Sequence, residues 1–341
     1  MKLGYGLITC QRVPGDERSD ADLYEQAVEL AVEAERLGLD SVWVSEHHFV
    51  DDGYMPSLLP VAAAIAARTE RIEIGTALLL APLHDPVRLA EDAATVDVLS
   101  RGRLVLGLGL GWRREEFEGL HIPLDERRTR LLDCIAILRQ AWGDGLVTGT
   151  SRTPYPGVSV RPKPHRPGGP PIWIGAFAER AVRRAGRIAD GFMAGIGLPE
   201  EFGEQLGWAL DEHAKSSRAD LPFAPSIYQS TFAWEGGDAW TVMRDGLHYL
   251  DWKYVDMDDA FGRAGAAPEP PPLTPDKEEE LRRMTVVGTP EEVAAAIRAY
   301  RDVAGDDLHY IAQLYWPGMR YEQQLQALRV FAERVAPALR S

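Results

Sequence analysis

The chain has 341 residues, 45% of them hydrophobic, a length and composition that fit one large α/β barrel or two smaller globular domains. Its formal net charge of −15 repels polyanions, which disfavours nucleic acids and anionic membranes as partners. Two cysteines without metal-ligand spacing, no signal-peptide pattern and no apolar run long enough to span a membrane predict a cytoplasmic protein.

The first half of the chain alternates short apolar segments, typical of buried strands, with segments of helical periodicity. The first helix, Asp20–Leu37, repeats apolar residues at intervals of three and four and is closed by Gly38. Four strands are predicted here: Met1–Thr9, the start of Leu39–Phe49, Ile72–Leu80 and Leu104–Trp112. Strands and helices that alternate in short units indicate a parallel sheet with crossover helices.

The same alternation continues in the second half. Its predicted strands are Ile172–Gly175, Gly191–Ala194, Ser226–Trp234 and His309–Tyr315. Two segments rich in proline or glycine, 143–171 and 254–276, are too long for simple connections and are predicted as irregular excursions at the rim. Eight strands alternating with helices predict a (β/α)₈ TIM barrel that occupies 1–341 as a single domain.

The second strand ends in Glu46, His47, His48 and Phe49. An apolar strand that gives way to polar groups at its C-terminal end is typical of the catalytic rim of such a barrel. A metal site is disfavoured, because neighbouring strand residues point to opposite faces and no His-x-His pattern occurs. Two interpretations remain: structural rim histidines, or an imidazole that acts as a base or hydrogen-bond donor near neutral pH.

The fourth predicted strand carries Gly107, Gly109 and Gly111 at alternate positions. One face of this strand therefore lacks side chains and admits either a bulky neighbour or a flat ligand. The pattern is not a dinucleotide-binding fingerprint, since it does not open a helix with a glycine-rich turn. Trp112, directly after it, either stacks on a bound ring or packs in the core.

The fifth strand is followed by Gly175, Ala176, Phe177 and Ala178, and then by a helix start at Glu179. Small residues let backbone N–H groups approach an anion, and the helix N-terminus adds a partial positive charge. Later βα loops of TIM barrels often hold a phosphate in this way. The segment is therefore either a phosphate-binding turn or an ordinary tight turn.

Together these segments resemble the bacterial luciferase-like monooxygenase family. The matching segments are Trp43-x-x-Glu46-His47-His48-Phe49, Gly75-Thr76-Ala77, His84-Asp85-Pro86-Val87-Arg88, Leu106-Gly107-x-Gly109-x-Gly111-Trp112 and Pro171-Ile172-Trp173-Ile174-Gly175. The agreement extends from Met1 to about Gly191 and is looser beyond it. The motifs are specific for the family jointly, and none of them identifies the substrate.

The resemblance implies a barrel that binds reduced FMN, or the deazaflavin coenzyme F420, at the C-terminal ends of its strands. It implies that His47 is a catalytic base beside the flavin. The implied cofactor contacts are Glu46, His48, Thr76, Ala77, Leu78, Gly109, Trp112, Gly175, Ala176, Phe177 and Ala178. It also implies a cis peptide bond at Ala77–Leu78. Light emission is not expected, because Gly109 and Leu110 replace the reactive cysteine and the arginine of luciferase.

The expected activity is a flavin-dependent monooxygenase that uses reduced FMN and O₂ to oxygenate a small organic substrate. A separate flavin reductase would supply the cofactor, and a homodimer is possible within the family. The alternatives are an F420-dependent hydride-transfer enzyme on the same barrel, a non-catalytic flavin-binding protein and a metal hydrolase. No metal, nucleic acid or membrane partner is expected.

Overall fold

A computed structural model describes residues 1–259 and 269–340. Its centre is a closed barrel of eight parallel strands, in which each strand pairs with the next and the last pairs with the first. The strands are β1 (Lys2–Ile8), β2 (Ser41–Val44), β3 (Glu73–Thr76), β4 (Leu104–Gly109), β5 (Ile172–Gly175), β6 (Gly191–Ala194), β7 (Ala224–Ala233) and β8 (His309–Gln313). This architecture confirms the predicted (β/α)₈ TIM barrel.

The helices surround the barrel and return the chain to the start of each strand. They are α1 (Asp20–Arg36), α2 (Leu58–Arg68), α3 (Pro86–Leu99), α4 (Arg114–Gly119), α5 (Arg127–Trp142), α6 (Glu179–Ile188), α7 (Pro199–Ala214), α8 (Ala239–Asp259), α9 (Pro275–Arg283), α10 (Pro290–Ala304), α11 (Tyr321–Val330) and α12 (Ala336–Arg340). Thr289 caps α10 with Pro290 at the first helical position. Of the helices in the described ranges, none is both long and apolar enough to cross a membrane.

The barrel interior is filled by side chains from several strands. Trp43 and Trp173 stack there with ring centroids 5.2 Å apart. The remaining buried members of this cluster are Leu7, Ala77, Val105, Met193 and Ile311. A larger apolar layer lies between the strands and the outer helices. Because this core closes the middle of the barrel, a ligand is expected at the strand ends.

Several predicted boundaries were wrong. The third predicted strand, Ile72–Leu80, is interrupted: β3 ends at Thr76, the Ala77–Leu78 peptide bond is cis as the resemblance implied, and pairing resumes at Leu79–Leu80. The fourth ends at Gly109 instead of Trp112, and the unpredicted α4 follows it. This helix has only six residues, too few for apolar periodicity to reveal it.

The two predicted excursions are also more ordered than expected. Within 143–171, Val147–Gly149 and Pro154–Val158 form an antiparallel hairpin. Within 254–276, the first residues continue α8 to Asp259 and the last two begin α9, while 260–268 lie outside the described residues. The unpredicted strand Val286–Gly288 pairs with the end of β7.

Candidate active site

The ends of β2 and β3 meet at the C-terminal rim, where the sequence places Glu46 to Phe49. The N–H of Ala77 donates a hydrogen bond of 2.8 Å to the carbonyl of Val44, the last residue of β2. Leu79 and Leu80 then pair with the end of β4. The segment Thr76–Leu80 therefore crosses the barrel mouth between β2 and β4.

His47 forms a buried pair with Glu116 of α4. Its side chain is 6% exposed, and Nδ1 lies 2.8 Å from Oε1 of Glu116, which is fully buried. A carboxylate only accepts hydrogen bonds, so Nδ1 carries the proton of the neutral ring and Nε2 carries the lone pair. No hydrogen bond to Nε2 is formed by any residue in 1–259 or 269–340. This nitrogen is the atom that can take up a proton.

Three aromatic side chains surround His47, and we call Tyr54, Trp112 and Tyr254 the aromatic collar. Their ring centroids lie 4.8, 5.8 and 5.5 Å from that of His47, each ring nearly perpendicular to the imidazole. The hydroxyl of Tyr54 is 2.9 Å from Oγ of Ser45 and 3.1 Å from the hydroxyl of Tyr254. Burial raises the pKa of both collar tyrosines, which keeps them neutral.

Glu46 holds a second imidazole. Its carboxylate is 2.8 Å from Nε2 of His48 and 3.8 Å from Nε2 of His84, and it accepts from the N–H of Leu80 at 3.4 Å. Burial opposes ionisation of Glu46, but hydrogen bonds and charge from His48 and His84 outweigh it and lower its pKa. Burial likewise opposes the charged form of His48, yet Glu46 raises the pKa of this imidazole. Glu46 therefore supports the mouth segment at Leu80.

The two neighbouring histidines thus face different carboxylates, His47 facing Glu116 and His48 facing Glu46. In the part of the chain that the structure describes, no three acidic, histidine or cysteine side chains converge as a metal site. The geometry is that of two imidazoles, each oriented by a carboxylate. The other ring nitrogen of each, Nε2 of His47 and Nδ1 of His48, forms no hydrogen bond with a described residue.

Arg113 ties the elements around His47 together. Its guanidinium donates to the carbonyl oxygen of His48, to that of Phe49 at 3.3 Å and to that of Met257 at 3.4 Å, and it pairs with Glu115. Arg113 therefore joins the loop after β2 to the end of α8. This link places Tyr254 of α8 beside Tyr54.

The glycines of β4 admit a bulky neighbour, one of the two predicted alternatives. A Cβ atom at Gly107 would lie 2.0 Å from the carbonyl oxygen of Thr76, and one at Gly109 would lie 3.0 Å from Cβ of Leu78. A Cβ atom at Gly175 would lie 2.1 Å from Cδ1 of the same Leu78. Leu78 thus connects the mouth segment to the turn after β5, and a cofactor contact at Gly109 stays a prediction.

The turn after β5 leads directly into α6. Ala176 is buried, whereas Phe177 is 62% exposed and its ring lies against Gly195. Ala178 occupies the N-cap position and offers no side-chain acceptor to the first N–H groups of α6. The N–H of Ala181 donates to the carbonyl of Ala178, whereas those of Glu179 and Arg180 have no side-chain cap among the described residues and can face an anionic group.

Arginines add positive charge to the helix that follows this turn and to its neighbour α5. Arg180 lies in the first turn of α6, and Arg128 and Arg184 lie on α5 and α6. None of the three has an acidic partner within residues 1–259 and 269–340. The pKa of Arg184 is lowered by burial and then by the charges of Arg128 and Arg187. In a chain of net charge −15, this is a local positive region.

The structure brings most predicted site residues to one end of the barrel. Glu46, His47, His48, Thr76, Ala77, Leu78 and Trp112 surround the mouth, and Leu78 contacts the turn Gly175–Ala178. Sequence reasoning did not assign roles to Tyr54, His84, Arg113, Glu116 and Tyr254. The one sequence feature that could have indicated a role for Glu116 was its carboxylate in the segment that follows β4.

Comparisons with known proteins identify the family to which the sequence is similar. The sequence profile of the luciferase-like monooxygenase family matches residues 1–307. An F420-dependent glucose-6-phosphate dehydrogenase from Nakamurella multipartita is 30% identical over 331 residues, which cover 93% of each protein. The oxygenase component of a flavin-dependent trigonelline monooxygenase from Acinetobacter baylyi is 24% identical over 339 residues, 95% of this chain and 92% of that protein.

Among solved structures, the monooxygenase RslO1 from Streptomyces bottropensis superposes with a TM-score of 0.82 at 26% identity, and the match covers 99% of each chain. The family includes flavin-dependent monooxygenases and F420-dependent oxidoreductases. The chain belongs to the luciferase-like monooxygenase family of oxidoreductases.

Proposed function

We propose that this protein uses reduced FMN and O₂ to oxygenate a small organic substrate, with the flavin supplied by a separate reductase. The observation that carries the proposal is the His47–Glu116 pair inside the aromatic collar, next to the mouth segment Thr76–Leu80. The named monooxygenases among the relatives support it.

The residues present fit such a cofactor. Leu78, which is partly exposed above the buried Ala77, offers an apolar surface for a flat ring, and the uncapped start of α6 with Arg180 suits a phosphate. Arg184 leaves a buried Nε without a partner in the described ranges, which an anion nearby would stabilise. When bound, reduced flavin supplies the electrons that activate O₂.

The role of the protein is to orient groups and to move protons. Nε2 of His47 would hold or move a proton between bound groups at the mouth, and Glu116 holds the imidazole in the required orientation. The collar rings exclude water from this nitrogen, which strengthens its electrostatic interactions. Glu46 acts on the mouth segment through Leu80 and is a positioning residue.

The test of this role is His47→Ala. With reduced FMN and O₂, we expect its rate of flavin reoxidation with substrate to fall by about 10²-fold or more. His165→Ala is the matched control, because His165 is exposed next to Gly102 at the opposite end of the barrel. If His47→Ala reoxidises and turns over at the wild-type rate, His47 does not have this role.

A second candidate is F420-dependent hydride transfer, favoured by the full-length relative that is 30% identical. The arginines near α6 also suit an anionic tail longer than the phosphate of FMN, as F420 would require. However, the two cations that the described residues place at the substrate end of the site are already paired: Arg113 with Glu115, and Lys253 with Asp51 and Asp256.

Anaerobic titration with reduced FMN and reduced F420 separates the candidates. Micromolar binding of reduced FMN with oxygen-dependent turnover supports the oxygenase. Reduction of F420 by glucose 6-phosphate supports the dehydrogenase. Tight FMN binding without turnover of any substrate supports a flavin-binding protein.

A further inference from the structure

We propose that the mouth of this barrel recognises a flat aromatic substrate that carries a positive charge, such as an N-alkylated pyridine or quinoline ring. This specificity rests on the proposed oxygenase function and names the substrate class of the same site. It is carried by the shape of the aromatic collar and by the charges around it.

The collar offers aromatic faces to a ligand at the mouth. Trp112 is 36% exposed and Tyr254 is half-buried, so neither ring is hidden in the core. Their planes lie within 28° of each other with centroids 6.4 Å apart. Rings of this kind bind flat aromatic molecules by stacking, and their negative faces attract cations.

The charges around the collar are predominantly negative. Hydrogen bonds among the described residues connect four carboxylates to the collar and to His47, namely Glu46, Asp52, Glu115 and Glu116. Two further carboxylates, Asp51 and Asp256, pair with Lys253, the residue before Tyr254. Two cations, Arg113 and Lys253, oppose them. With the histidines neutral and all six carboxylates ionised, these described groups carry an excess of four negative charges, or three when His48 is protonated.

One of these carboxylates remains incompletely paired. Oε1 of Glu116 accepts from His47 and from the N–H of His48, whereas Oε2 is buried and has no hydrogen-bond partner in the part of the chain that the structure describes. A buried carboxylate without full compensation favours positive charge nearby. The collar rings and Glu116 thus favour the same ligand charge.

The same arrangement disfavours anions. An anionic substrate would meet the carboxylate excess while both local cations are already occupied. The turn that the cofactor phosphate is proposed to use begins at Gly175, against Leu78, and leads into α6, which carries Arg180 in its first turn. The proposed phosphate end of the mouth is therefore positively charged, and the proposed substrate end, at the collar, is negatively charged.

The test uses the full-length protein, both without FMN and with oxidised FMN added, and three ring probes of similar size: 1-methylquinolinium, quinoline and 1-naphthoate. Dissociation constants are measured by calorimetry at neutral pH. We expect the cation to bind about tenfold more tightly than quinoline, and 1-naphthoate to bind most weakly. The proposal is overturned if 1-naphthoate binds as tightly as the cation, or if quinoline matches the cation.

Two variants of one residue separate the ring from its hydroxyl. Tyr254→Leu removes the aromatic face and is expected to weaken 1-methylquinolinium binding about tenfold, whereas Tyr254→Phe keeps the face and stays within about twofold of the wild type. The matched control is Trp208→Leu, which removes a half-buried aromatic side chain from α7, one of the helices outside the barrel. Equal losses for all three variants would contradict recognition by the collar.

Two further measurements keep the proposals distinct. Raising the salt concentration is expected to weaken the cation more than quinoline, because the attraction is electrostatic. Hexyltrimethylammonium, a non-aromatic cation, is expected to bind more weakly than 1-methylquinolinium, and equal binding would overturn the requirement for a flat ring. FMN affinity is measured separately, so its absence refutes the cofactor assignment while the probe ranking still decides the specificity.

Discussion

Replacing Glu116 with glutamine is the sharpest test of how His47 is controlled. Glutamine is the same size, and its carbonyl oxygen can keep both hydrogen bonds that Oε1 now accepts, from Nδ1 of His47 at 2.8 Å and from the N–H of His48 at 2.9 Å. The position of the unpartnered Oε2 can hold the new amide. The substitution therefore removes a negative charge with little change of geometry.

The size of the effect follows from the separation of the charges. Two unit charges about 4 Å apart interact by about 4 kcal/mol at an effective dielectric constant of about 20. If half of this interaction energy is lost from the transition state of the step in which His47 becomes charged, the rate falls by roughly 10- to 10²-fold, since about 1.4 kcal/mol corresponds to a factor of ten. Unfolding temperature should change little.

The assay is stopped-flow reoxidation of enzyme-bound reduced FMN by O₂, followed by the absorbance of oxidised flavin. Glu118→Gln is the matched control, because Glu118 lies on the same helix with an exposed side chain. The double variant His47→Ala, Glu116→Gln should be no slower than His47→Ala alone, since Glu116 acts through His47. If the rate of the double variant instead falls by the product of the two single-variant factors, this reasoning is refuted.

Three other predictions concern the support of the site. Glu46→Gln should lower the unfolding free energy by about 2 kcal/mol near pH 6. In the folded protein the pKa of His48 is raised and that of Glu46 is lowered. Both groups are therefore charged between about pH 4.3 and about pH 6.5, the pKa values of glutamate and histidine in the unfolded chain. The deficit should shrink as pH rises through the folded pKa of His48 or falls through that of Glu46, as thermal unfolding against pH would show; a deficit independent of pH would contradict the pairing. Gly107→Ala should lower the unfolding temperature more than Gly109→Ala, because its Cβ meets a backbone oxygen at 2.0 Å and not a side-chain atom at 3.0 Å; the reverse order would be inconsistent with this packing. Phe177→Glu, at a position 62% exposed, should weaken FMN binding about tenfold in a fluorescence titration but leave riboflavin, which lacks the phosphate, within about twofold; equal losses would argue against phosphate at this turn.

The barrel and its rim were predictable from local patterns. The apolar start of the second strand followed by Glu46 to Phe49 identified the C-terminal end, and the segment after Ile172–Gly175 identified the turn into α6. These features depend on periodicity and on residues adjacent in the chain, which a single sequence records. The resemblance added the cis peptide bond at Ala77–Leu78, which periodicity does not encode.

The partners of His47 were not predictable in this way. Glu116 lies 69 residues further along the chain, on a six-residue helix with no apolar stripe. Tyr254 lies in a segment whose prolines suggested an irregular excursion, although the helix continues through it to Asp259. Their proximity to His47 arises from barrel closure and from Arg113, that is, from contacts between distant segments.

The central claim is that a flavin ring lies over Ala77 and Leu78, beside His47, with its phosphate at the turn Gly175–Ala178. A crystal structure of the protein with bound FMN tests it most directly. We expect the ring within hydrogen-bonding distance of Nε2 of His47 and the phosphate on the first N–H groups of α6. A flavin bound away from the barrel mouth, or with its phosphate directed toward Glu116, would contradict the claim.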